Sequence, residues 1–486
     1  MTNPAETDYL IIGAGAVGLA FADSLIALDP DCHITFVDKH AKPGGHWNDA
    51  YSFVALHQPS ATYGVNSMEF PNERIDDHGP NKGLFALASG SEVLAYFEAV
   101  MNTRLLPTGR VSYHRLSEFR GRGEDGIATI APLLGGEETR IKVRRKLVDA
   151  TFYQTSVPST HERAFSETGG VEVVPPGDLP DLWKRGSDLP EHYVILGAGK
   201  TAMDTGVWLL EAGVDPASIS WVRPRESWLW NRRYTQPGEH FIEGALDMQI
   251  AMLRSAAKAT DGADLMRIMG RDGYYLRIDE SIEPEMMHFA TISEGEVAIL
   301  RQIENVIRKG RVTAIEPGRL VFGEDSVAVP QNALFIDCTA SAVPFDQRKN
   351  TGPLFRGDTI VLQPIFVPLV TLSAALTAFF EVHFDDDETR NLMAAPGPLT
   401  DTPATFPASQ MVNMLNRGAW ARNPDVMKFL STSRLDVVTG TIAKMMAENS
   451  PKLAKLQEFR ETAAECMPAL IRLGVQAKAI HEGQGA

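Results

Sequence analysis

Tyr9-Leu10-Ile11-Ile12-Gly13-Ala14-Gly15-Ala16-Val17-Gly18 decides the fold. The first four residues are a short apolar strand, and the glycines break it into a turn before the helix-compatible run LAFADSLIAL. Each glycine has a steric task in a dinucleotide-binding turn: Gly13 makes the bend, Gly15 lets backbone approach a pyrophosphate, and Gly18 lets helix pack on strand. Amides of the first helical turn then face the phosphates. A second buried strand, Ile34 to Val37, ends in Asp38, twenty residues past Gly18. A carboxylate there accepts hydrogen bonds from a ribose diol, with Lys39 beside it.

Working outward, the pattern recurs at Tyr193 to Leu196, followed by Gly197-Ala198-Gly199-Lys200-Thr201-Ala202 and the helix-compatible MDTGVWLLEAG. Ala202 stands at the third glycine, a permitted variant. The next strand, Ile219 to Val222, ends in Arg223, twenty-one residues past Ala202, so a cation replaces the acid of the first unit. An acid repels a 2′-phosphate and a guanidinium grips it with two hydrogen bonds, so Arg223, with Arg225 nearby, points to NADPH over NADH. The plainer alternative is a pair of solvated surface charges. A further echo links Lys146-Leu147-Val148-Asp149-Ala150-Thr151 to Leu334-Phe335-Ile336-Asp337-Cys338-Thr339, two apolar strands that each follow a turn-broken, β-rich segment.

The expected class is therefore α/β: two Rossmann-type dinucleotide-binding domains with β-meander insertions and a helical C-terminal region. Residues 1–180 make the first part of the first dinucleotide-binding domain and 181–340 an NADPH-binding domain with an insertion at about 225–300. Residues 341–400 return to the first domain, which the resemblance described below makes the FAD-binding one, and 401–486 form the helical region. A chain of 486 residues suffices for two or three such cores. Its net charge of -16 argues against sequence-independent nucleic-acid binding, which needs a cationic face. The opening MTNPAETDYLIIGAG has no charged segment ahead of an apolar one, and the apolar stretch Ile365 to Phe380 is broken by Pro368. It also falls short of the roughly 20 residues that span a bilayer, so no membrane association and a cytoplasmic location are expected. Cys32, Cys338 and Cys466 form no CxxC pair, and the acidic run Asp385 to Glu388 has no histidine at ligand spacing, so no metal is assigned. In the insertion, Trp228, Trp230 and Tyr234 offer aromatic area either to a substrate pocket or to loop anchoring. The C-terminal helices either cap the active site or form a homo-oligomer interface.

Gly44-Gly45-His46-Trp47, directly after the Asp38 strand, resembles the corresponding segment of flavin-containing and Baeyer-Villiger monooxygenases. Leu56-His57-Gln58-Pro59 is similar to the stretch in which their Asn-Pro dipeptide meets flavin and nicotinamide, with Gln58 in the Asn place. Gly197 to Asp204 resembles their second glycine loop, Arg223 their NADPH-selecting arginine, and the Asp-small-Thr strands their ATG-like motifs. The resemblance covers about residues 8 to 345 through short motifs. It implies that Gly13, Gly15, Gly18, Asp38, Lys39, Gly45 and Trp47 hold FAD. NADPH falls to Gly197, Gly199, Lys200, Thr201, Arg223, Arg225 and Thr339. One motif is missing: the family's Phe-x-Gly, His, Trp/Tyr fingerprint should fall between Val157 and Pro190, where His161 and Phe165 stand without it.

Beside FAD, the protein's tasks are to seat the nicotinamide, tune the ring and exclude water. Gln58, His46 and His57 are the candidate catalytic residues, against the plainer reading of packed histidines. For Trp47 the plainer reading is core packing. The helix after Thr371-Leu372-Ser373 is a candidate to point its amide end at the flavin, unless Ser373 simply caps it. The reading reached is an NADPH-dependent, FAD-containing monooxygenase-like oxidoreductase that uses dioxygen on a small organic substrate. Its alternatives are a flavin-dependent NADPH oxidoreductase without oxygen insertion and a nicotinamide-nucleotide-binding redox sensor.

Overall fold

The computed structural model describes residues 5–71, 74–344, 347–348, 351–436 and 438–483, so the first four residues of the opening stretch lie outside the described residues. Strand β1 (Ala5–Ile12) leads into α1 (Ala16–Leu28) and β2 (Ile34–Val37), which lies parallel to β1 with Ile12 opposite Val37. Helix α2 (Gly90–Val100) starts in a capping box of Ser89 and Glu92, and β3 (Val111–His114) extends the sheet beyond β2. A meander of β4 (Ser117–Arg122), β5 (Ile127–Pro132) and β6 (Thr139–Asp149) follows, each strand antiparallel to the last. In β6, Ile141 and Val143 are buried while Arg140, Lys142 and Arg144 are exposed, the alternation of a sheet wet on one side. The strand then pairs in parallel with β1, which sets Asp149 opposite Ile12.

The second unit repeats this plan. Short strands β7 (Ser166–Glu167) and β8 (Val173–Val174) precede β9 (Tyr193–Leu196), α3 (Lys200–Glu211) and β10 (Ile219–Val222), with Leu196 opposite Val222. The insertion contributes β11 (Leu229–Asn231), α4 (Ile242–Lys258), α5 (Gly262–Arg271), β12 (Tyr275–Leu276), β13 (Thr291–Ile292) and α6 (Glu294–Leu300), the three strands forming their own small sheet. β14 (Val306–Ile307) adds to the edge of the parallel sheet, and the meander β15 (Ala314–Glu316), β16 (Arg319–Phe322) and β17 (Asp325–Ala328) pairs with β7. β18 (Leu334–Asp337) closes the unit beside β9, with Asp337 opposite Leu196. The echo of Asp-small-Thr strands is thus structural, since both end level with a glycine turn.

The chain then returns to the first sheet: β19 (Phe355–Arg356) and β20 (Thr359–Val361) form a hairpin whose second strand lies parallel to β6. The helix Val370–His383 packs along α1 and buries most of the apolar stretch there. Ser373 does not cap it. The helix begins three residues earlier, and the Ser373 hydroxyl accepts from the amides of Ile365 and Phe366 while donating to Leu369 O. The long helix Leu453–Gly483 lies against α4 and the helix Phe406–Trp420, sharing a core with Met266, Met269, Phe406, Cys466 and Leu470. Among the described residues no helix is long and apolar enough to cross a membrane.

Candidate functional site

Both glycine turns sit where three parallel strands end. Gly13 (φ +99°) and Gly197 (φ +118°) adopt a backbone that side chains disfavour. Neither has room for one: a Cβ would meet Thr151 Cγ2 at 2.9 Å in the first turn and Cys338 O at 2.6 Å in the second. Helices α1 and α3 begin at Gly15 and Gly199 without a side-chain cap and without an acid in the first turn. Their leading amides are left to an anionic oxygen, the donor set of a phosphate cradle.

Beyond this the turns differ. In the first, a Gly15 Cβ would lie 3.5 Å from Gly45 Cα, and Gly44 N–H donates to Ala14 O at 2.9 Å, so the Gly44-Gly45 turn packs directly on the glycine loop. Asp38 is committed to that loop: one carboxylate oxygen accepts from Ala14 N–H at 2.6 Å, the other from His40 N–H at 2.7 Å, with the His40 ring at 2.8 Å. The Asp38 hydrogen bond raises the His40 pKa against burial, helped by Asp49 on the other ring nitrogen at 2.8 Å. In the second turn nothing lies within 4 Å of a Gly199 Cβ, and Gly197, Gly199, Lys200 and Thr201 open on a cleft of about 1600 Å³.

The same cleft is lined by His46, Trp47, His57 and Gln58, so the three candidate catalytic side chains share it with the second glycine loop and Thr339. His46 stacks on Trp47 with ring centroids 5.6 Å apart and is exposed to the cleft, and the surrounding protein draws its pKa down to about 4 against the pull of Asp49. Trp47 is 9% exposed and donates from Nε1 to Tyr63 OH at 2.9 Å, so most of the ring is core. The Gln58 amide donates to Thr62 O and Thr62 Oγ1 at 3.1 and 3.0 Å, which leaves its carbonyl for the cleft. Thr339 donates its amide and hydroxyl to Asp337 at 3.0 and 2.6 Å. Gly13, Gly15, Gly18, Asp38, Lys39 and Gly45 do not line this cleft.

Arg223 requires a correction. Expected at the nucleotide, it is 3% exposed and turned to a separate pocket of about 450 Å³, where Nη2 pairs with Glu226 at 2.8 Å. Its guanidinium lies 4.9 Å over the Trp221 ring, and Arg308 holds the same Glu226 oxygen at 2.9 Å. A carboxylate as buried as Glu226 demands cations, and Arg223 answers it. Arg225 instead lines the cleft, as does Arg311, which the sequence reading missed. Among the described residues neither has an ion-pair partner within 4.0 Å.

A buried polar cluster also escaped the sequence. Lys200 pairs with Asp204 and, at 3.3 Å, with Glu296. Tyr51 OH donates to Asp204 at 2.7 Å, and His57 Nε2 lies 3.9 Å from the same carboxylate. Arg232, fully buried, holds Glu296 at 2.6 Å. Burial alone would raise the Asp204 pKa, but Lys200 and then His57 hold it well below the carboxylate range. Burial likewise opposes the charge on Lys200, yet Asp204 and Glu296 raise its pKa. His57 is pushed down by burial, with Asp204 opposing. The one local signal was the acid four residues after Lys200, at helical spacing. His161, which stands where the fingerprint is missing, faces the cleft and hydrogen-bonds Asp337 at 2.9 Å, so the linker is tied to the end of β18.

A family model described as "NAD(P)-binding Rossmann-like domain" matches residues 11–76. The protein named "Uncharacterized protein Rv2000" from Mycobacterium tuberculosis (strain ATCC 25618 / H37Rv) is 40% identical over 456 residues, 94% of this chain and 81% of that one. The "FAD-dependent monooxygenase DEP4" of Fusarium langsethiae is 25% identical over 229 residues, 46% of this chain and 36% of that one. Among solved structures, the polycyclic ketone monooxygenase of Thermothelomyces thermophila has a TM-score of 0.49 at 13% identity, covering 98% of this chain and 89% of that chain.

Proposed function

The chain belongs to the same family as the mycobacterial protein named Rv2000, and we propose that it is an NADPH-dependent, FAD-containing oxidoreductase of the monooxygenase type. One observation carries the reading: an open glycine turn, two cations without ion-pair partners and the His46–Gln58 segment all line a single cleft. The α3 amides and Arg225 with Arg311 would hold the pyrophosphate and 2′-phosphate of NADPH. The uncapped end of α1, with Gly15 bare of side chain, fits the phosphates of FAD. FAD, when bound, supplies hydride acceptance and the activation of dioxygen.

The chain's own groups then have separable tasks. Lys200 neutralises Asp204 and so stays within the protein, leaving phosphate contact to the arginines. His57 lies 3.9 Å from Asp204 at the edge of the cleft, and desolvation lowers its pKa. The Gln58 carbonyl is free to accept from the nicotinamide carboxamide. The distant Fusarium relative, named as FAD-dependent, supports the flavin part of the reading. The missing fingerprint favours a second one, hydride delivery to an organic acceptor without oxygen insertion.

Purified protein should be yellow, or become so with FAD, and should bleach when NADPH is added without oxygen. A protein that stays colourless with saturating FAD overturns the proposal. Oxygen uptake matched by oxygenated product supports the monooxygenase form, and turnover with neither oxygen uptake nor peroxide supports the second reading.

A further inference from the structure

Gln58 and Trp47, two cleft-lining residues of the first unit, are held by one loop. The turn Ser60–Thr62 follows Gln58, and Thr62 O and Oγ1 accept both donations that fix the Gln58 amide, at 3.1 and 3.0 Å. One residue on, Tyr63 OH accepts from Trp47 Nε1 at 2.9 Å. Ser60, Thr62, Tyr63 and Val65 are buried, so the main-chain carbonyls of this loop must find donors inside the protein.

Those donors come from the far end of the chain. Arg434 stands between the helices Pro424–Thr432 and Thr439–Ala447. Its Nη1 donates to Tyr63 O and Val65 O at 2.8 and 2.9 Å, and its Nη2 to Ser60 O and Ala61 O at 3.4 and 2.9 Å. Each N–H of the two terminal nitrogens thus has a carbonyl of its own. Ser433, beside it, donates its hydroxyl to Asn66 Oδ1 at 2.7 Å. Carbonyls that converge on one point bring the negative ends of their dipoles together, as at the end of a helix, and a cation there offsets the repulsion. A guanidinium suits the task, being permanently charged and planar with its donors in a fixed fork; an ammonium has three donors, one too few. Leu430 and Val438, on either side of Arg434 in the chain, line the same cleft, so the anchor belongs to its wall.

We propose that Arg434 is a positioning residue for this cleft: by holding the carbonyls of residues 60–65 it sets the place of the Gln58 amide and so the approach of the nicotinamide. The assignment deepens the oxidoreductase reading and rests on it for the nicotinamide, whereas the hold on the loop is measured without coenzyme. In the full-length protein loaded with FAD, Arg434→Met should slow anaerobic flavin reduction at saturating NADPH by about tenfold or more, with the Kd for NADPH changed less than about threefold. Gln58→Leu should slow it comparably, and the double variant should be within about threefold of the slower single one, because both changes act through the same amide. Arg434→Lys should lie between Arg434→Met and the unaltered protein. In the coenzyme-free protein, the amides of Thr62, Tyr63 and Val65, bonded to Pro59 O, Ser60 O and Tyr96 OH, should exchange with solvent about tenfold faster in Arg434→Met, with those of β1 unchanged. Losses that multiply in the double variant overturn the proposal, as does unchanged exchange in this loop. If Arg434→Met does not fold, Arg434→Lys decides by the same two measurements, with effects of about threefold expected. Flavin that NADPH fails to reduce in the unaltered protein would instead remove the oxidoreductase reading, and faster loop exchange in the variant would leave the anchor standing.

Discussion

The two glycine turns share strand order, backbone angle and an uncapped helix, yet one is braced by a second glycine turn and the other is open. In the first, Gly18 would place a Cβ 2.2 Å from Gly13 O, Gly15 touches Gly45, and Asp38 is tied to Ala14. In the second, Ala202 already carries the methyl that Gly18 cannot, Gly199 faces empty space, and the end of β10 leads to a cleft-facing arginine. The same motif is thus held in two ways: one turn braced by the Gly44-Gly45 loop and by Asp38, and one left open to the cleft.

The largest expected effect lies at Lys200, whose counterpart in the first turn is the apolar Ala16. Lys200→Met leaves Asp204 and Glu296 short of a buried countercharge and should lower stability by about 3 kcal/mol, read by urea denaturation. A loss under ~1 kcal/mol would mean that Tyr51, His57 and Arg232 suffice for both carboxylates. Next, Gly18→Ala should cost about 2–3 kcal/mol through overpacking, while Gly199→Ala should stay within about 0.5 kcal/mol because its methyl meets nothing. Equal costs at the two positions would erase the contrast.

Arg225→Ala should weaken NADPH about tenfold and NADH little, measured by equilibrium titration, whereas Arg223→Ala should not discriminate between the two. The opposite pattern would return the phosphate contact to Arg223. The smallest effect concerns pH. His46 has a native pKa of about 4 against about 6.5 unfolded, so between those values the unfolded chain binds more protons. Stability should thus fall as pH drops from about 6.5 towards 4, a slope softened because the ring faces the open cleft. His46→Asn should flatten it, and an unchanged slope would place the titration elsewhere.

What the sequence disclosed was local. Glycine spacing, strand burial and the two Asp-small-Thr endings are properties of contiguous residues, and both units follow from them. Side-chain direction at a strand end is not local in that sense. Arg223 is claimed by Glu226 and shares it with Arg308, eighty-five residues on, so spacing from Ala202 predicted its place and missed its aim. The cluster around Asp204 draws on Tyr51, His57, Arg232 and Glu296, whose meeting depends on how the first unit, the second and the insertion are assembled. The fate of the insertion and tail was equally hidden, because both come to line the cleft only through folding.

Lys146 gives the longest strand of the meander a fixed phase. Its ammonium reaches Glu381 at 2.9 Å and Asp387 at 3.2 Å from a residue 9% exposed. Sliding β6 by one position would swing that charge to the other face of the sheet and leave Glu381 to Arg390 alone, at 3.4 Å. The same slip would pull Thr151 away from Gly13, five residues downstream of the anchor. An ion pair at the rim of the sheet thereby acts as a gauge for the bend at its centre.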